Sequence, residues 1–317
     1  MSKHITADSI KPHYDQIKAI WNGLLEKYYS AEGVLDASYL VDVSCPHCDS
    51  NVTHSKFCLN GFCHVTCSDC EVVYVTPRLK ASCLEELYSS QYYAELYMKS
   101  MIPAFKARKQ LIGQNKVQQV VSVSKIEKGR VLDIGCGVGE VIDVFKDNGW
   151  ECQAIEVNPV AIEWLKSRQV NVYDGSFDQY PEKEKFDVIM AWGVIEHLVD
   201  PDKFLMKVFN HLRSGGVFVS EVPNGQSILI DYCRNTLKDP QRIIMGEQHI
   251  ILYSVKAYED LHQRHGFHKL HLQTNGLDIE TIMKVENQLL PANITMNLQK
   301  CIDSYCRGDL IRGFWRK

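Results

Sequence analysis

Short apolar runs and amphipathic segments alternate through the second half of the chain, and this alternation predicts strands and helices in turn. Arg130-Val131-Leu132-Asp133-Ile134 reads as a strand that runs into the turn Gly135-Cys136-Gly137-Val138-Gly139. Val141, Ile142, Val144 and Phe145 then mark the inner face of a helix ending at Asn148-Gly149. A second strand, Cys152-Gln153-Ala154-Ile155, stops at Glu156, and Asn158-Pro159 caps and starts a helix with Ala161, Trp164 and Leu165 inward. Further strands are expected over 170–173, 186–191 and 217–222. Between the last two, Asp200-Pro201 opens a helix bearing Phe204, Leu205, Val208, Phe209 and Leu212, which closes at Ser214-Gly215-Gly216. This order implies an α/β fold whose mostly parallel sheet binds ligands at the carboxyl ends of its strands.

The first third follows another pattern. Trp21, Leu24, Leu25, Tyr28 and Tyr29 suit one amphipathic helix in an extension over residues 1–40. Residues 41–80 hold two Cys-x-x-Cys knuckles, Cys45/Cys48 and Cys67/Cys70, with Val72 to Val75 as a closing strand stopped by Pro77. A helical connection is expected over 81–128, and the α/β unit over 129–275 adds a helix from Ser254 to Gly266 and a strand from His268 to Gln273. Residues 276–317 read as a helical tail.

A chain of 317 residues accommodates one large domain and a smaller one. Its formal net charge of −4, without a basic stripe interleaved with aromatics, excludes free nucleic acid as the expected partner. The first residues lack the apolar stretch of a signal peptide, and no apolar run is long enough to span a bilayer. A cytoplasmic location is expected, with the twelve cysteines as reduced thiols.

Two knuckles at this separation are the pattern of a zinc ribbon, each placing two thiolates on one tight turn. Cys45, Cys48, Cys67 and Cys70 would then hold a structural Zn2+, since four thiolates leave no open coordination position. His54, Cys58, Cys63 and His64, between the knuckles, rank as packing residues.

The glycine turn after the first strand lets backbone approach a ligand, and Glu156 stands where an acidic group can meet ribose hydroxyls. A dinucleotide fingerprint needs a glycine where Glu140 stands. The run from Val131 to Gly139 instead resembles the first motif of class I S-adenosylmethionine-dependent methyltransferases. Glu156, Asp187-Val188-Ile189, Glu196-His197-Leu198 and Gly215-Gly216 resemble later segments of that family in order and spacing. The resemblance covers about residues 129 to 270 and implies a Rossmann-like methyltransferase sheet with S-adenosylmethionine as cofactor.

Residue by residue, it implies that Gly135, Cys136, Gly137 and Gly139 cradle the amino acid part of the cofactor, with Asp133 supporting the turn. Glu156, with Val157 beside it, would take the ribose; Gly175, Ser176 and Phe177 would meet the adenine; Ala191 and Trp192 would flank the sulfonium. Tyr92 and Tyr93 resemble a segment that covers the cofactor in zinc-bearing members.

For the chemistry, His197 beside Glu196 and His249 in Gly246-Glu247-Gln248-His249 are the candidate bases, and a metal-assisted route through Glu196 and His197 is a further option. In sugar C-methyltransferases a Tyr-x-Glu-His run supplies the base. This chain lacks that tyrosine and the glutamate next to the histidine, which favours O-methylation. The tail resembles those of methyltransferases of surface-polysaccharide biosynthesis, so a sugar, sugar nucleotide or glycan precursor is the expected acceptor. Arg307, Arg312, Arg316 and Lys317 are candidate phosphate contacts, or a solvated basic end. The alternatives are sugar C-methylation, O-methylation of a quinone-type aromatic hydroxyl in an apolar pocket, and a non-catalytic cofactor-binding assembly protein. Oligomerisation is left open.

Overall fold

The computed structural model describes residues 21–317 apart from positions 89, 182 and 241. Residues 21–25 are helical and run into a 3-10 turn over Glu26–Tyr28, burying Trp21, Leu25 and Tyr28. The amphipathic pattern is thus helical where it is described, and the part before residue 21 lies outside the described residues. The helix stops sooner than its pattern suggested, because Tyr29 pairs with Leu35 in a β-bridge.

In the cysteine module, β1 (Leu40–Val41) pairs antiparallel with β5 (Arg78–Leu79), so the entering and leaving chain are tied together. β2 (Thr53–Leu59) and β3 (Phe62–Cys67) form a hairpin turning at Asn60-Gly61, both left-handed, the residue pair such a turn favours. β4 (Val73–Val75) extends this sheet, and β11 (Ile251–Leu252) completes it from far along the sequence.

One expectation is corrected here: Cys58 and Cys63 are joined by a disulfide, so not every cysteine is a free thiol. Hairpin register is the reason. The two residues stand directly opposite each other on β2 and β3, where facing Cβ atoms come within disulfide reach.

The next segment holds α1 (Ala81–Tyr88), α2 (Gln91–Leu96) and α3 (Gln114–Ser124), joined in part by π-type turns. Then follow β6 (Arg130–Ile134), α4 (Glu140–Asp147), β7 (Glu151–Glu156), α5 (Pro159–Ser167), β8 (Asn171–Asp174), β9 (Phe186–Trp192), α6 (Pro201–His211) and β10 (Leu212–Pro223). The predicted start signals are present. The Asn158 side chain accepts from Val160 N and Ala161 N, and Asp200 accepts from Lys203 N, each before a proline at the helix start. After α7 (Ile228–Thr236) and α8 (Val255–Gln263) come β12 (His268–Asn275), α9 (Asp278–Val285), α10 (Ala292–Ser304) and β13 (Leu310–Arg316).

The central sheet runs β12-β13-β10-β9-β6-β7-β8, parallel from β10 to β8. It is the Rossmann-like methyltransferase arrangement, a mixed sheet whose strand order reverses between β6 and β9. Ligands bind at such a switch point. Among the described residues, no helix is long and apolar enough to cross a membrane.

The tail departs from its predicted helical character at its end. After α10, β13 inserts antiparallel between β10 and β12, with Ile311, Phe314 and Trp315 fully buried. Its basic residues have partners within the fold, Arg312 buried and Arg307, Arg316 and Lys317 half-buried. Arg307 pairs with Asp231, Arg316 donates to the Ser124 carbonyl, and Lys317 donates to the carbonyls of Phe209 and Leu212. Arg312 donates through Nε to Glu221 Oε2 at 2.8 Å, and Lys116 Nζ lies 3.0 Å from Glu221 Oε1.

Burial alone would raise the Glu221 carboxyl, but the Arg312 and Lys116 charges outweigh it and hold it at about 2. Removing Arg312 leaves Glu221 with Lys116 as its remaining cation and without the guanidinium hydrogen bonds. Arg312→Ala is therefore expected to destabilise the fold by about 1.5–3 kcal/mol, the range for a hydrogen bond to a charged group, read as a lower urea midpoint. A depressed carboxylate contributes its stability above its unfolded pKa and loses it as pH falls toward the folded value. The gap between wild type and variant should therefore shrink as the buffer is taken from neutral toward pH 2.

Candidate active site

β6 delivers its carboxyl end into the Gly135–Gly139 turn, and β7 delivers Glu156 beside it. Glu156 Oε2 accepts from Gly137 N at 2.8 Å, while Oε1 accepts from Val157 N and Asn158 N at 2.8 and 2.9 Å. Burial raises this carboxyl, and the three backbone donors pull the other way. The acid therefore also braces the turn, a role its spacing did not foretell. Gly139 has to be glycine: its φ is +77°, and a Cβ there would sit 2.5 Å from Leu165 Cδ2. At Gly137 the ideal Cβ position faces the Tyr97 ring at 3.7 Å. Tyr97 went unnoticed in the sequence. Its signal was the spacing of four from Tyr93 on helical backbone.

Asp133 is buried at the end of β6, and burial and the neighbouring Glu140 charge push its carboxyl well up. Among the described residues, Asp133 Oδ1 and Asn158 Nδ2 have no hydrogen-bond partner. Buried polar atoms of this kind are satisfied by a ligand or by water. Cys136 is held as the thiol by burial, and Val157 is exposed.

Gly175 donates its N–H to the Glu156 carbonyl at 3.0 Å, which places the Gly175-Ser176 turn beside the end of β7. Phe177 follows this turn, its ring buried 5.4 Å from Phe204 and 5.3 Å from His211, both on α6. Ala191 is buried in β9, and the half-buried Trp192 has Lys116 Nζ 3.9 Å from its ring centroid.

Glu196 and His197 occupy a 3-10 turn after β9, and Ile250 N donates to the Glu196 carbonyl at 3.0 Å, bringing the distant His249 segment alongside. His197 Nδ1 lies 3.0 Å from the Gln248 carbonyl and His249 Nδ1 lies 2.7 Å from the Ile243 carbonyl. A carbonyl only accepts, so each Nδ1 carries the proton and the neutral ring keeps its lone pair on Nε2. The two imidazole centroids are 4.9 Å apart, and the edge-on Tyr88 ring lies 5.4 Å from His197. Tyr93 donates its hydroxyl to Gln248 Oε1.

Burial drives His197 down to about 4, against the carbonyls of Gln248 and Gly193, and drives Glu196 up to about 8. At neutral pH the pair is an unprotonated imidazole beside a protonated carboxyl, an acid and a base set apart by environment. Glu196 Oε2, Tyr88 Oη and Gln248 Nε2 have no partner among the described residues. Ligand atoms of Glu196, His197 and His249 lie within 4.8 Å of one another, so the cluster is also a possible metal donor set. Gln248 and Tyr88 were missed because their roles depend on a loop contact, not on a local motif.

The four knuckle thiols also converge, with Sγ–Sγ distances of 3.5 Å for Cys45–Cys70 and Cys48–Cys70 and 3.6 Å for Cys48–Cys67. A tetrahedron with Zn–S bonds of about 2.3 Å has edges of about 3.8 Å, so the thiols fit zinc. Asp49 and Glu71, each just after a knuckle's second cysteine, share the left-handed backbone that closes such turns.

Residues 107–272 match the family model described as a methyltransferase domain. A probable S-adenosylmethionine-dependent methyltransferase of Mycolicibacterium smegmatis is 31% identical over 97 residues, covering 30% of this chain and 38% of that protein. A ubiquinone biosynthesis O-methyltransferase of Rhodopseudomonas palustris is 28% identical over 106 residues, covering 31% of this chain and 41% of that protein. The chain thus spans about two fifths of the length of these curated relatives. A solved SAM-dependent methyltransferase from Archaeoglobus fulgidus gives a TM-score of 0.47 at 19% identity, covering 66% of this chain and 94% of that one.

Proposed function

Because this chain belongs to the methyltransferase-domain family, we propose that it O-methylates a sugar, sugar nucleotide or related glycan precursor, with S-adenosylmethionine as donor. When bound, that cofactor supplies a methyl group already activated on its sulfonium. The residues present fit it: a left-handed glycine turn at the carboxyl end of β6, with unpartnered buried polar atoms at Asp133 and Asn158. Gly135, Cys136, Gly137 and Gly139 would hold its amino acid part. Glu156 and Val157 would hold the ribose, Gly175, Ser176 and Phe177 the adenine, and Ala191, Trp192 and Tyr93 the reacting end.

The protein's remaining work is to align the acceptor and take its proton. The observation that carries the reading is the His197 hydrogen bond to the Gln248 carbonyl, which leaves Nε2 as the base on an imidazole that burial keeps neutral. Glu196, protonated at neutral pH, orients the acceptor as a donor, and His249 packs behind the base. A structural zinc on Cys45, Cys48, Cys67 and Cys70 braces the ribbon.

The names of the ubiquinone biosynthesis relatives favour a second reading, an aromatic hydroxyl acceptor. Transfer from cofactor carrying a carbon-13 methyl to pooled sugar nucleotides and, separately, to catechols separates the two by NMR. A methoxy signal on a sugar supports the first reading. A methyl on carbon, or methoxy signals on catechols alone, overturns it.

A further inference from the structure

A cavity of about 500 Å³ opens between the helical segment at Trp21, the tip of the β2–β3 hairpin and the loop from Asp239 to Glu247. Its size lies in the range of small-molecule sites. Trp21 and Tyr92 form a buried wall with ring centroids 4.4 Å apart, and Tyr29 stands nearer the mouth. Polar groups ring these faces: the Asn60 amide, Asp239 and the buried carboxyl of Glu247, which accepts from Trp21 Nε1 at 2.7 Å. Asn60 Nδ2 donates to Asp239 Oδ2 at 2.6 Å and the Tyr29 hydroxyl donates to the Asn60 carbonyl at 2.6 Å, so the hairpin tip is clamped from both sides.

Among the described residues, the lining includes no lysine, arginine or histidine. Among the described residues an anionic group would meet the carboxyls of Asp239 and Glu247 and no cation, an unfavourable burial. A flat apolar ring would fit the aromatic wall but leave the amide and the carboxyls desolvated. A pyranose satisfies both halves, having an apolar C–H face and a rim of hydroxyls that donate and accept.

The loop that lines the cavity continues to the histidine pair. Met245 and Glu247 line it, while the next residue, Gln248, holds His197 through its carbonyl and Tyr93 through its side chain. Tyr92 lines it and Tyr93 does not, so one short helix presents a ring to each side.

We propose that this cavity is the subsite for the acceptor's glycosyl ring, with any phosphate of an activated sugar outside it, and that the ribbon's hairpin tip forms part of the substrate site. The transfer half of this proposal rests on the sugar O-methylation reading above; the binding half does not. The test uses the full chain loaded with S-adenosylhomocysteine, with methyl α-D-glucopyranoside, glucose 1-phosphate and catechol as probes in saturation-transfer NMR. The neutral glycoside should show saturation transfer that falls at least fivefold in Tyr29→Ala and in Glu247→Gln. Glucose 1-phosphate, its phosphate left outside the cavity, should show ring saturation transfer no stronger than the neutral glycoside and equally sensitive to both substitutions, and catechol should give none that they change. Unaltered affinity for S-adenosylhomocysteine reports that each variant is folded.

With a turned-over sugar acceptor, the same variants should raise its KM about tenfold with little change in kcat. Glycoside binding that both substitutions leave intact, or that is exceeded by catechol binding sensitive to them, overturns the subsite. Sensitive glycoside binding without methyl transfer to any sugar upholds the subsite and overturns the transfer reading instead.

Discussion

His197→Ala is expected to lower the methyl-transfer rate by about 10²–10⁴-fold, the range for loss of a positioned general base, while affinity for S-adenosylhomocysteine stays unchanged. The imidazole's contacts include the Gln248 and Gly193 carbonyls, the Glu196 carboxyl, Tyr88 and His249, none of them proposed to hold the cofactor. The pH dependence gives a second, independent readout. A free histidine base would lose activity as pH fell through about 6.5. Burial lowers His197 to about 4, so the base stays unprotonated below neutrality and the acid limb of kcat/KM should lie near pH 4. Glu196, raised by burial to about 8, gives up its proton in alkali, so a donor role predicts a basic limb near pH 8. A profile with its acid limb at 6.5 to 7, or a His197→Ala enzyme of wild-type rate, would remove the proposed base.

Chelation of the cysteine site, or Cys67→Ser, is expected to unfold the ribbon and abolish activity while cofactor binding survives. Structural zinc contributes about 10–16 kcal/mol to the folding of isolated zinc-finger peptides, and a small two-hairpin module has little core to replace it. The consequence reaches past the module because the ribbon is fastened to the larger domain. β11 pairs with β4, the Ser254 hydroxyl donates to the Cys70 carbonyl at 2.7 Å, and Arg264 donates to the His47 carbonyl at 2.9 Å. β11 begins two residues after His249, so loss of the ribbon frees the segment that carries the second histidine. Hydrogen exchange should show faster labelling across β2 to β4 and β11, with β6 and β7 still protected. Metal analysis of the purified chain should give zinc near equimolar with protein. Metal-free protein with full activity and an unchanged Cys67→Ser melting midpoint would leave the ribbon a metal-independent fold.

Local signals carried much of this protein. The strand and helix alternation over 130–275, the proline and Asx helix starts, the glycine turn and the paired knuckles are short-range patterns. Backbone sterics and side-chain capping act within a few residues, so they are legible in one segment at a time. The Asn60-Gly61 turn belongs with them; it was in the sequence, and with it the facing of Cys58 and Cys63.

Other features depend on register between distant segments, which no local pattern encodes. Ile311, Phe314 and Trp315 fell in a tail expected to be helical, and only the open edge of β10 made them a strand. Arg312 read as a free cation, and only the buried Glu221 opposite made it a structural ion pair. The sequence by itself determined the α/β class, the cofactor motif and the cysteine set, because each is written in consecutive residues. Tertiary structure alone decided that His197 and His249 meet, that burial sets His197 and Glu196 apart in pKa, and that the ribbon tip walls a cavity with the loop leading to His249. Those outcomes follow from desolvation and from contacts across some 50 to 220 residues of chain, which exist only once the whole fold has closed.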